Sequence, residues 1–213
     1  MRGIFTYLPF GYMWYLKKLS GNPKTVLDLG CGDGKIMSII ADDDWEVTGI
    51  DIFSKSLKKA EKTGVYKKLI KGDLVRTAKK LVQQRKKYDL VFCSQVIEHI
   101  TRKQGEEILS LSDKLAKSRI YFGTPRGFMN QPEVFIGDNP YQYHKSGWSL
   151  DDFRERGYRV YGVGFNLSWS EEGLARSKSK VVMTIATIVS YLMSPIVYIM
   201  PSFGAGIMAV KDK

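Results

Sequence analysis

A glycine-rich turn between a predicted strand and a predicted helix constrains this chain more than any other feature. Residues 26–36 read VLDLGCGDGKI, with glycines at three alternate positions, Gly30, Gly32 and Gly34. The apolar run before the glycines is typical of a buried strand, and the apolar spacing from Lys35 onward predicts a helix. Glycine lets the backbone turn sharply and approach a ligand closely, and a helix start presents free N–H groups. The sequence therefore predicts a strand, turn and helix that bind a small polar ligand.

The spacing of the glycines distinguishes between ligands. The dinucleotide fingerprint G-x-G-x-x-G would need a third glycine at position 35, where this chain has Lys35. Asp28 adds a carboxylate at the strand end, which would repel a pyrophosphate and favour a cationic group such as an ammonium. The stretch resembles motif I, D/E-x-G-x-G-x-G, of the class I S-adenosylmethionine (SAM)-dependent methyltransferases, in the type 11 and quinone-methyltransferase-like group. The resemblance implies SAM as the cofactor, held in this motif by Asp28, Gly30, Cys31, Gly32 and Gly34.

Acidic residues also follow the next two predicted strands. Asp51 ends the strand predicted over residues 46–51, where a doubly wound sheet places an acid that accepts hydrogen bonds from ribose hydroxyls, and the resemblance implies the same task. Asp73 lies in a Gly-Asp-hydrophobe turn, and the resemblance implies that it recognises the adenine amino group. Asp73 is also placed to be the N-cap of a basic helix predicted over residues 74–87. The remaining predicted cofactor residues are Ile52, Leu74 and Ser94.

The segment after the fourth predicted strand carries further chemistry. Residues 88–94, YDLVFCS, are nearly all apolar, as in a central parallel strand buried on both faces, and Glu98 and His99 follow them. The second histidine of the chain, His144, lies in residues 126–147, a loop whose length indicates a functional role. Histidine exchanges protons near neutral pH. The sequence predicts a catalytic group in which His99 or His144 accepts a hydroxyl proton from the methyl acceptor and Glu98 supports the base.

A metal-assisted variant of this group stays open. Some relatives in the resembled family, the quinone O-methyltransferases and small-RNA 2′-O-methyltransferases, carry E-x-x-E-H after the fourth strand, and those side chains can hold a divalent ion. This chain has Gln95 at the first position of that pattern, followed by Glu98 and His99. A neutral ligand in place of an anionic one weakens a site for a hard cation. We therefore expect no metal, although Glu98, His99 and His144 could still form a partial site.

Alternating strand and helix patterns predict the fold class. They indicate an α/β protein with a doubly wound, mostly parallel sheet, and the resemblance implies a Rossmann-like, seven-stranded methyltransferase fold whose last strand is antiparallel. Residues 1–213 are predicted to form a single SAM-dependent methyltransferase domain. Its special segments are an aromatic N-terminal lid or packing helix over 1–23, a substrate-side loop over 125–147, and an apolar insertion over 178–205. Two cysteines are too few for a disulfide framework.

The positive charge of the chain is concentrated in one segment. Thirteen lysines and arginines and only two acids fall between residues 55 and 87, which accounts for the whole net charge of +11. Such a block attracts anionic membranes or nucleic acids. Aromatic side chains other than Tyr66 do not interleave the charges, as a base-stacking surface would require, and this favours a solvated outer face of two helices.

An uncharged segment of twenty residues lies near the end of the sequence. Residues 181–200 are long enough and apolar enough to cross a membrane as one helix, although Pro195 interrupts them. Residues 206–210, GIMAV, read as the last strand of the sheet. If they are that strand, both ends of the apolar segment return to one sheet, and a single membrane crossing cannot do this. The pattern therefore favours a buried, dimerising or membrane-lying hairpin or helix.

Three functions are compatible with these features. The first is methyl transfer to a small-molecule or lipid-like acceptor, at an oxygen atom, favoured by the aromatic N-terminal segment and the apolar residues 181–200. The second is methylation of RNA or protein through the basic residues 55–87. The third is SAM binding without turnover. A homodimer and a peripheral membrane contact both stay open, and the absence of a signal-peptide pattern favours a cytoplasmic location, which includes the membrane surface.

Overall fold

The fold is a single seven-stranded sheet with helices on both faces. A computed structural model of the protein describes residues 8–130 and 139–213. The strands are β1 Thr25–Leu29, β2 Glu46–Asp51, β3 Tyr66–Lys71, β4 Tyr88–Ser94, β5 Ala116–Pro125, β6 Arg159–Phe165 and β7 Gly204–Asp212. The helices are α1 Tyr12–Ser20, α2 Lys35–Ile40, α3 Ser54–Lys62, α4 Leu74–Gln83, α5 Arg102–Leu115, α6 Leu150–Arg154, α7 Asn166–Trp169 and α8 Lys180–Ile199.

The order of the strands places a crevice beside β1. The sheet runs β3-β2-β1-β4-β5-β7-β6, so the chain winds outward from β1 in one direction and then from β4 in the other. The pairs from β3 to β5 are parallel, whereas β7 is antiparallel to both β5 and β6. This confirms the predicted doubly wound sheet with an antiparallel last strand. Ligands bind such sheets at the carboxyl ends of the strands where the winding direction reverses, which here lies between β1 and β4.

The central strands are mostly apolar because both of their faces are covered. In β4, the side chains of Leu90 and Phe92 pack in one core cluster, and those of Val91 and Cys93 pack in the other. Alternate side chains of a strand point to opposite faces, so a strand buried on both sides loses the usual polar alternation. Helices α4 and α5 pack on the face of the sheet that carries Cys93, and helices α1 and α2 pack on the face that carries Phe92.

The basic segment lies at the outer edge of the sheet. Residues 55–87 form α3, β3 and α4, and β3 is the edge strand. All thirteen lysine and arginine side chains of this segment are exposed, whereas its apolar residues, among them Leu57, Ala78 and Leu81, are buried. The segment is thus a solvated outer face, as its composition favoured. The predicted helix over 74–87 ends earlier than expected, at Gln83.

The apolar segment forms one exposed helix. The expectations of a buried segment and of a hairpin are wrong, because α8 is continuous through Pro195 and buries only Ala186, Ser190 and Val197. Among the helices that the structure describes, α8 is the one that is long and apolar enough to cross a membrane. Its two ends connect to β6 and β7, which pair with each other, so the chain enters and leaves α8 from the same sheet.

Candidate functional site

The glycine turn after β1 adopts a backbone that only glycine takes readily. The φ angles of Gly30, Gly32 and Gly34 are 75°, 56° and 77°, in the left-handed region. A Cβ on Gly30 would lie 2.5 Å from both γ-carbons of Val96, so the turn after β1 fits tightly against the turn after β4. A Cβ on Gly32 would meet no atom of the described residues within 4 Å. Gly32 therefore faces open space, where a ligand can approach the backbone.

Carboxylates at the ends of β2 and β3 hold the surrounding turns in place. The Asp51 side chain accepts hydrogen bonds from the N–H groups of Gly32, at 2.9 Å, and Phe53, at 2.8 Å. The Asp73 side chain accepts one from the N–H of Arg76 at 2.9 Å and is the N-cap of α4. Asp73 also lines the cavity, so its capping role does not remove it from the cofactor site.

A cavity of about 330 Å³ opens at the carboxyl ends of β1, β2 and β4. All of the predicted cofactor residues except Gly34 line it, namely Asp28, Gly30, Cys31, Gly32, Asp51, Ile52, Asp73, Leu74 and Ser94. Gly34 instead packs below the turn, where a Cβ would lie 2.8 Å from the Tyr66 ring. Several other residues that the sequence did not single out also line the cavity, including Gln95, Gln104, Tyr141 and Lys145. Gln95 directly follows a predicted strand, which is the signal that could have identified it.

Asp28 gives the cavity a carboxyl group with unusual protonation. Its side chain is only 5% exposed, and its Oδ2 accepts a hydrogen bond of 2.7 Å from the Tyr66 hydroxyl. Burial, with a further contribution from the charge of Asp51, raises the pKa of Asp28 to about 7. A cationic ligand group beside it would stabilise the charged form. The ammonium of the methionine portion of SAM is such a group, so Asp28 and the open space at Gly32 fit this cofactor.

We expect the affinity for SAM to depend on pH through Asp28. Below pH 7 the buried carboxyl holds a proton that ammonium binding must displace, so the Kd should fall up to about tenfold per unit as pH rises toward 7. Isothermal titration calorimetry between pH 5.5 and 8, in buffers of different ionisation enthalpy, should detect the released proton. The matched variant Asp28→Asn should bind SAM weakly and lose this dependence. A wild-type Kd that does not change across the range would contradict the prediction.

The same shift affects the stability of the ligand-free protein. An unfolded aspartate has a pKa near 3.9, below the value of about 7 that burial gives Asp28. The folded state thus binds the proton more tightly than the unfolded state. The contribution of Asp28 to the free energy of unfolding therefore falls as pH rises from about 4 to about 7.

The turn after β4 brings the predicted catalytic residues together. Gln95 has a φ of 57°, and its N–H donates to the carbonyl of Gly123 at 2.7 Å. A short 3₁₀ turn, Ile97–His99, follows, and a complete capping box between Thr101 and Gln104 then begins α5. The carbonyl of Glu98 accepts hydrogen bonds from the N–H groups of Lys145 and Ser146, at 2.7 and 3.1 Å. These two bonds attach the loop that carries His144 to the end of β4.

Glu98 is a buried carboxyl group beside two imidazoles. It is 2% exposed, and its Oε2 accepts a hydrogen bond of 2.9 Å from the Thr124 hydroxyl. Its Oε1 is buried, lies 3.9 Å from Nε2 of His99, and has no hydrogen-bond partner in the part of the chain that the structure describes. Burial raises the pKa of Glu98 to about 7. Burial, together with the nearby His144, lowers the pKa of His99 to about 4.

The two histidines present their Nε2 atoms. Nδ1 of His144 lies 2.6 Å from the carbonyl oxygen of Met129, and Nδ1 of His99 lies 3.4 Å from that of Tyr143. A carbonyl can only accept, so each Nδ1 is assigned a hydrogen, and in a neutral imidazole the lone pair is then on Nε2. The two rings are 4.9 Å apart between centroids.

This cluster can hold either a proton or a metal ion. One ligand atom each from Glu98, His99 and His144 lies within 4.8 Å of the other two. A histidine that binds a metal usually donates its other N–H to a carbonyl or carboxylate, as both do here. Gln95, the neutral residue of the E-x-x-E-H pattern, lies against the hydroxyl of Tyr12 instead. His99 lines the cofactor cavity, whereas Glu98 and His144 lie behind its lining.

Helix α1 reaches the edge of the site. The Tyr12 hydroxyl lies 3.1 Å from Oγ of Ser94, at the end of β4, and burial raises the pKa of Tyr12. The rest of α1 packs on the sheet through Tyr15, Leu16 and Leu19. The helix thus both packs on the sheet and borders the cavity. Residues 1–7 of the predicted lid and residues 131–138 of the predicted substrate-side loop lie outside the described residues.

Comparisons with known proteins bear on both the cofactor half and the fold. Residues 27–118 match a family model described as a methyltransferase domain. A ubiquinone biosynthesis O-methyltransferase from Nitrosospira multiformis is 36% identical over 98 residues, 44% of this chain and 38% of that protein. Matches to counterparts from other bacteria also cover less than half of the relative's length. The family-model match ends at residue 118, before the loop that carries His144.

Solved structures resemble the whole chain. A SAM-dependent methyltransferase from Archaeoglobus fulgidus superposes with a TM-score of 0.58 at 21% identity, covering 99% of this chain and 98% of that one. Magnesium protoporphyrin IX methyltransferase from Synechocystis PCC 6803, solved with bound SAM, gives a TM-score of 0.51 at 16% identity, covering 96% and 76%. At these identities the likeness shows the fold that the three chains share.

Proposed function

Because this chain contains a class I SAM-dependent methyltransferase domain, we propose that it is an enzyme that transfers the methyl group of SAM to an oxygen atom of a small, apolar or lipid-like acceptor. One observation carries the proposal. A buried carboxyl group and two imidazoles lie close together, and one of these imidazoles, His99, lines a cavity whose remaining lining residues fit the cofactor. When bound, SAM supplies a methyl group on a positively charged sulfur. The chain then has to align the acceptor and remove its proton.

The cofactor end of the cavity is formed by three acids on adjacent strands. Asp28, Asp51 and Asp73 follow or end β1, β2 and β3, which are neighbours in the sheet. Neighbouring strands are about 4.8 Å apart, so the three carboxylates extend over about 10 Å along the sheet edge. In the proposed assignment Asp28 binds the ammonium, Asp51 the ribose hydroxyls and Asp73 the adenine amino group.

At the acceptor end of the cavity, His99 is placed to take the proton that the acceptor hydroxyl loses. Burial keeps His99 neutral near pH 7, so its Nε2 lone pair is available to a hydroxyl in the cavity. The charge that forms on the imidazole is next to Glu98 Oε1, which has room for a new partner because no described residue bonds to it. His144 stands beside both groups and can exchange the proton with the loop side of the site.

A divalent ion bound by the same three side chains would serve the same reaction. One carboxylate oxygen and two imidazole nitrogens form a donor set suited to transition metals more than to Mg²⁺. Such an ion would lower the pKa of an acceptor hydroxyl. Oε1 of Glu98, which no described residue bonds, and the two Nδ1 contacts to carbonyls fit such an ion.

The acceptor class follows from where the charges lie. The basic segment 55–87 is at the β3 edge, three strand spacings, about 14 Å, from β4, where Glu98 and His99 follow. This separation disfavours an RNA or protein acceptor held by that segment. Relatives named ubiquinone biosynthesis O-methyltransferases support a small molecule methylated on oxygen.

We also propose that the protein acts inside the cell, at the membrane surface.

We expect methyl label from SAM to enter the solvent-extractable fraction of a cell extract. Full-length protein should be incubated with methyl-labelled SAM and extract, and the products separated into solvent-extractable small molecules and lipids, nucleic acid, and protein. Asp28→Asn serves as the cofactor-site control and should lower the label in every fraction. Label mainly in nucleic acid or protein would contradict the proposed acceptor class. SAM binding without label in any fraction would contradict enzymatic turnover.

A further inference from the structure

One face of α8 presents a stripe of large aliphatic side chains to solvent. Their positions recur at helical spacing, and each side chain is more than half exposed, in contrast to the small or polar residues on the opposite face. The stripe consists of Val181, Ile185, Ile188, Leu192 and Ile199. The face against the protein carries Ala186 and Ser190. A helix on the surface of a soluble domain normally has the reverse arrangement.

The inner face of α8 is fixed to the sheet by polar contacts. Ser190 accepts hydrogen bonds from the N–H of Phe165, at 3.1 Å, and from the Trp169 indole, at 2.9 Å. The Ser168 hydroxyl donates to the carbonyl of Ala186 at 2.9 Å. Closer to the end of the helix, Tyr198 stacks on the rings of Tyr15 and Tyr161. These contacts hold the aliphatic stripe outward, away from the core.

The first half of α8 lies beyond the edge of the sheet at which the cavity opens. Strand β6 runs parallel to β5, because both are antiparallel to β7, so Phe165 ends β6 at the carboxyl edge. Phe165 meets α8 at Ser190, and residues 180–189 precede that point by about 15 Å of helix. The connection to α8 also reaches the site, since Arg176 donates to Sδ of Met129, whose carbonyl contacts His144.

Aromatic and cationic residues border the stripe. Tyr191 is exposed on α8 next to Leu192, and its hydroxyl donates to the carbonyl of Pro9 at 2.9 Å. Trp169, which donates to Ser190, and Phe10, whose carbonyl accepts from Ser194, are exposed closer to the inner side of the helix. The cations near the start of the helix are Arg176, Lys178 and Lys180, and the acids there are Glu171 and Glu172. Aliphatic side chains bordered by aromatic rings and cations are characteristic of surfaces that lie at a membrane interface.

We propose that the α8 stripe docks this protein on the surface of an anionic lipid bilayer, with the helix lying in the plane of the interface. The helix cannot be surrounded by lipid, because its inner face is bonded to the sheet and both of its ends return there. A bilayer fits better than a second copy of the chain. The exposed cations beside the start of the helix, Arg176, Lys178 and Lys180, attract an anionic surface, whereas they offer nothing to an uncharged stripe on a second copy.

The docking also indicates how an acceptor reaches the site. An apolar acceptor dissolved in the bilayer would enter beside α8, at the edge where the cavity and His144 lie. This consequence rests on the proposed function. The docking itself does not, because vesicle binding is measured without methyl transfer.

Vesicle co-sedimentation of the full chain tests the proposal. Sucrose-loaded vesicles of phosphatidylcholine with about 30 mol% phosphatidylglycerol should sediment the wild type, and binding should persist in part at about 0.5 M NaCl, where electrostatic attraction is strongly screened. Leu192→Glu, at the centre of the stripe, should reduce the partition coefficient about tenfold or more. The matched variant Thr187→Glu adds the same charge on another side of the helix and should bind like the wild type. SAM binding by each variant verifies that it is folded.

Several results would overturn docking through α8. One is wild type that stays in the supernatant with these vesicles. Another is binding that disappears at high salt and is equally strong in Leu192→Glu, which would assign it to the basic segment 55–87. A third is a wild type that does not bind vesicles but forms a dimer, which Leu192→Glu dissociates. The stripe would then be covered by a second copy of the chain. Vesicle binding without any methyl transfer would keep the docking and contradict the proposed function.

Discussion

Replacing Gly32 by alanine is expected to abolish most SAM binding while the protein stays folded. The added methyl group meets no protein atom within 4 Å, so it projects into the space that the cofactor needs. Overpacking by a methyl group typically costs about 1–3 kcal/mol, which corresponds to a roughly 10- to 100-fold higher Kd. The left-handed φ of 56° adds a cost in stability of about 1–2 kcal/mol. Calorimetric titration with SAM and thermal unfolding measure the two effects separately.

Gly64 provides a matched control. Its φ is 70°, a Cβ there would also meet nothing within 4 Å, and it lies between α3 and β3, outside the cavity lining. Gly64→Ala should therefore lower the melting temperature about as much as Gly32→Ala, by several degrees, and leave SAM binding unchanged. Equal SAM affinities for the two variants would show that the cofactor does not pass over Gly32.

Replacing His144 by asparagine is expected to lower turnover about 10²- to 10⁴-fold without weakening SAM binding. The asparagine amide can still donate to the carbonyl of Met129, so the loop keeps its contact, but the Nε2 atom is removed. His144 does not line the cofactor cavity, which is why the Kd for SAM should stay the same. Single-turnover methyl transfer, with SAM binding measured in parallel, tests whether the rate falls while the Kd for SAM stays the same. Tyr143→Phe, on the same loop and exposed, should behave as the wild type.

The same assay separates a proton acceptor from a metal ligand. If Glu98, His99 and His144 hold a divalent ion, a chelator should reduce the wild-type rate to that of His144→Asn, and added Mn²⁺ or Zn²⁺ should restore the wild type alone. If they handle only a proton, the chelator should leave both rates unchanged. Full wild-type turnover by His144→Asn, with or without chelator, would exclude a role for this histidine in the reaction.

Local patterns in the sequence were sufficient for the fold and for the cofactor half of the cavity. Strand β2, predicted over residues 46–51, has those bounds in the structure, where it buries Val47, Gly49 and Ile50 and ends on Asp51. Gly30 and Asp51 lie at strand ends, and the parallel sheet brings strand ends together without further information. For this reason short motifs far apart in sequence could be assigned to one cavity.

Contacts that depend on how separate elements pack were not available from the sequence. The meeting of Glu98 with His144 rests on backbone bonds from Lys145 and Ser146, which leave no pattern in the side chains. The bond between Tyr12 and Ser94 depends on the angle of α1 on the sheet. Of the alternatives predicted for residues 181–200, the buried segment and the hairpin were wrong for the same reason, since an apolar composition does not say which face of a helix meets the protein.

The pairing of β6 with β7 makes the segment between them modular. Phe165 pairs with Gly204, so the chain leaves the sheet and returns to it at one point of an antiparallel hairpin. A short turn could join these two residues with every ladder of the sheet intact, at the cost of exposing the rings of Tyr15 and Tyr161 that Tyr198 covers. Residues 166–203 can therefore be replaced by another segment while the sheet and its site are kept. Such a replacement would change the surface to which the protein docks.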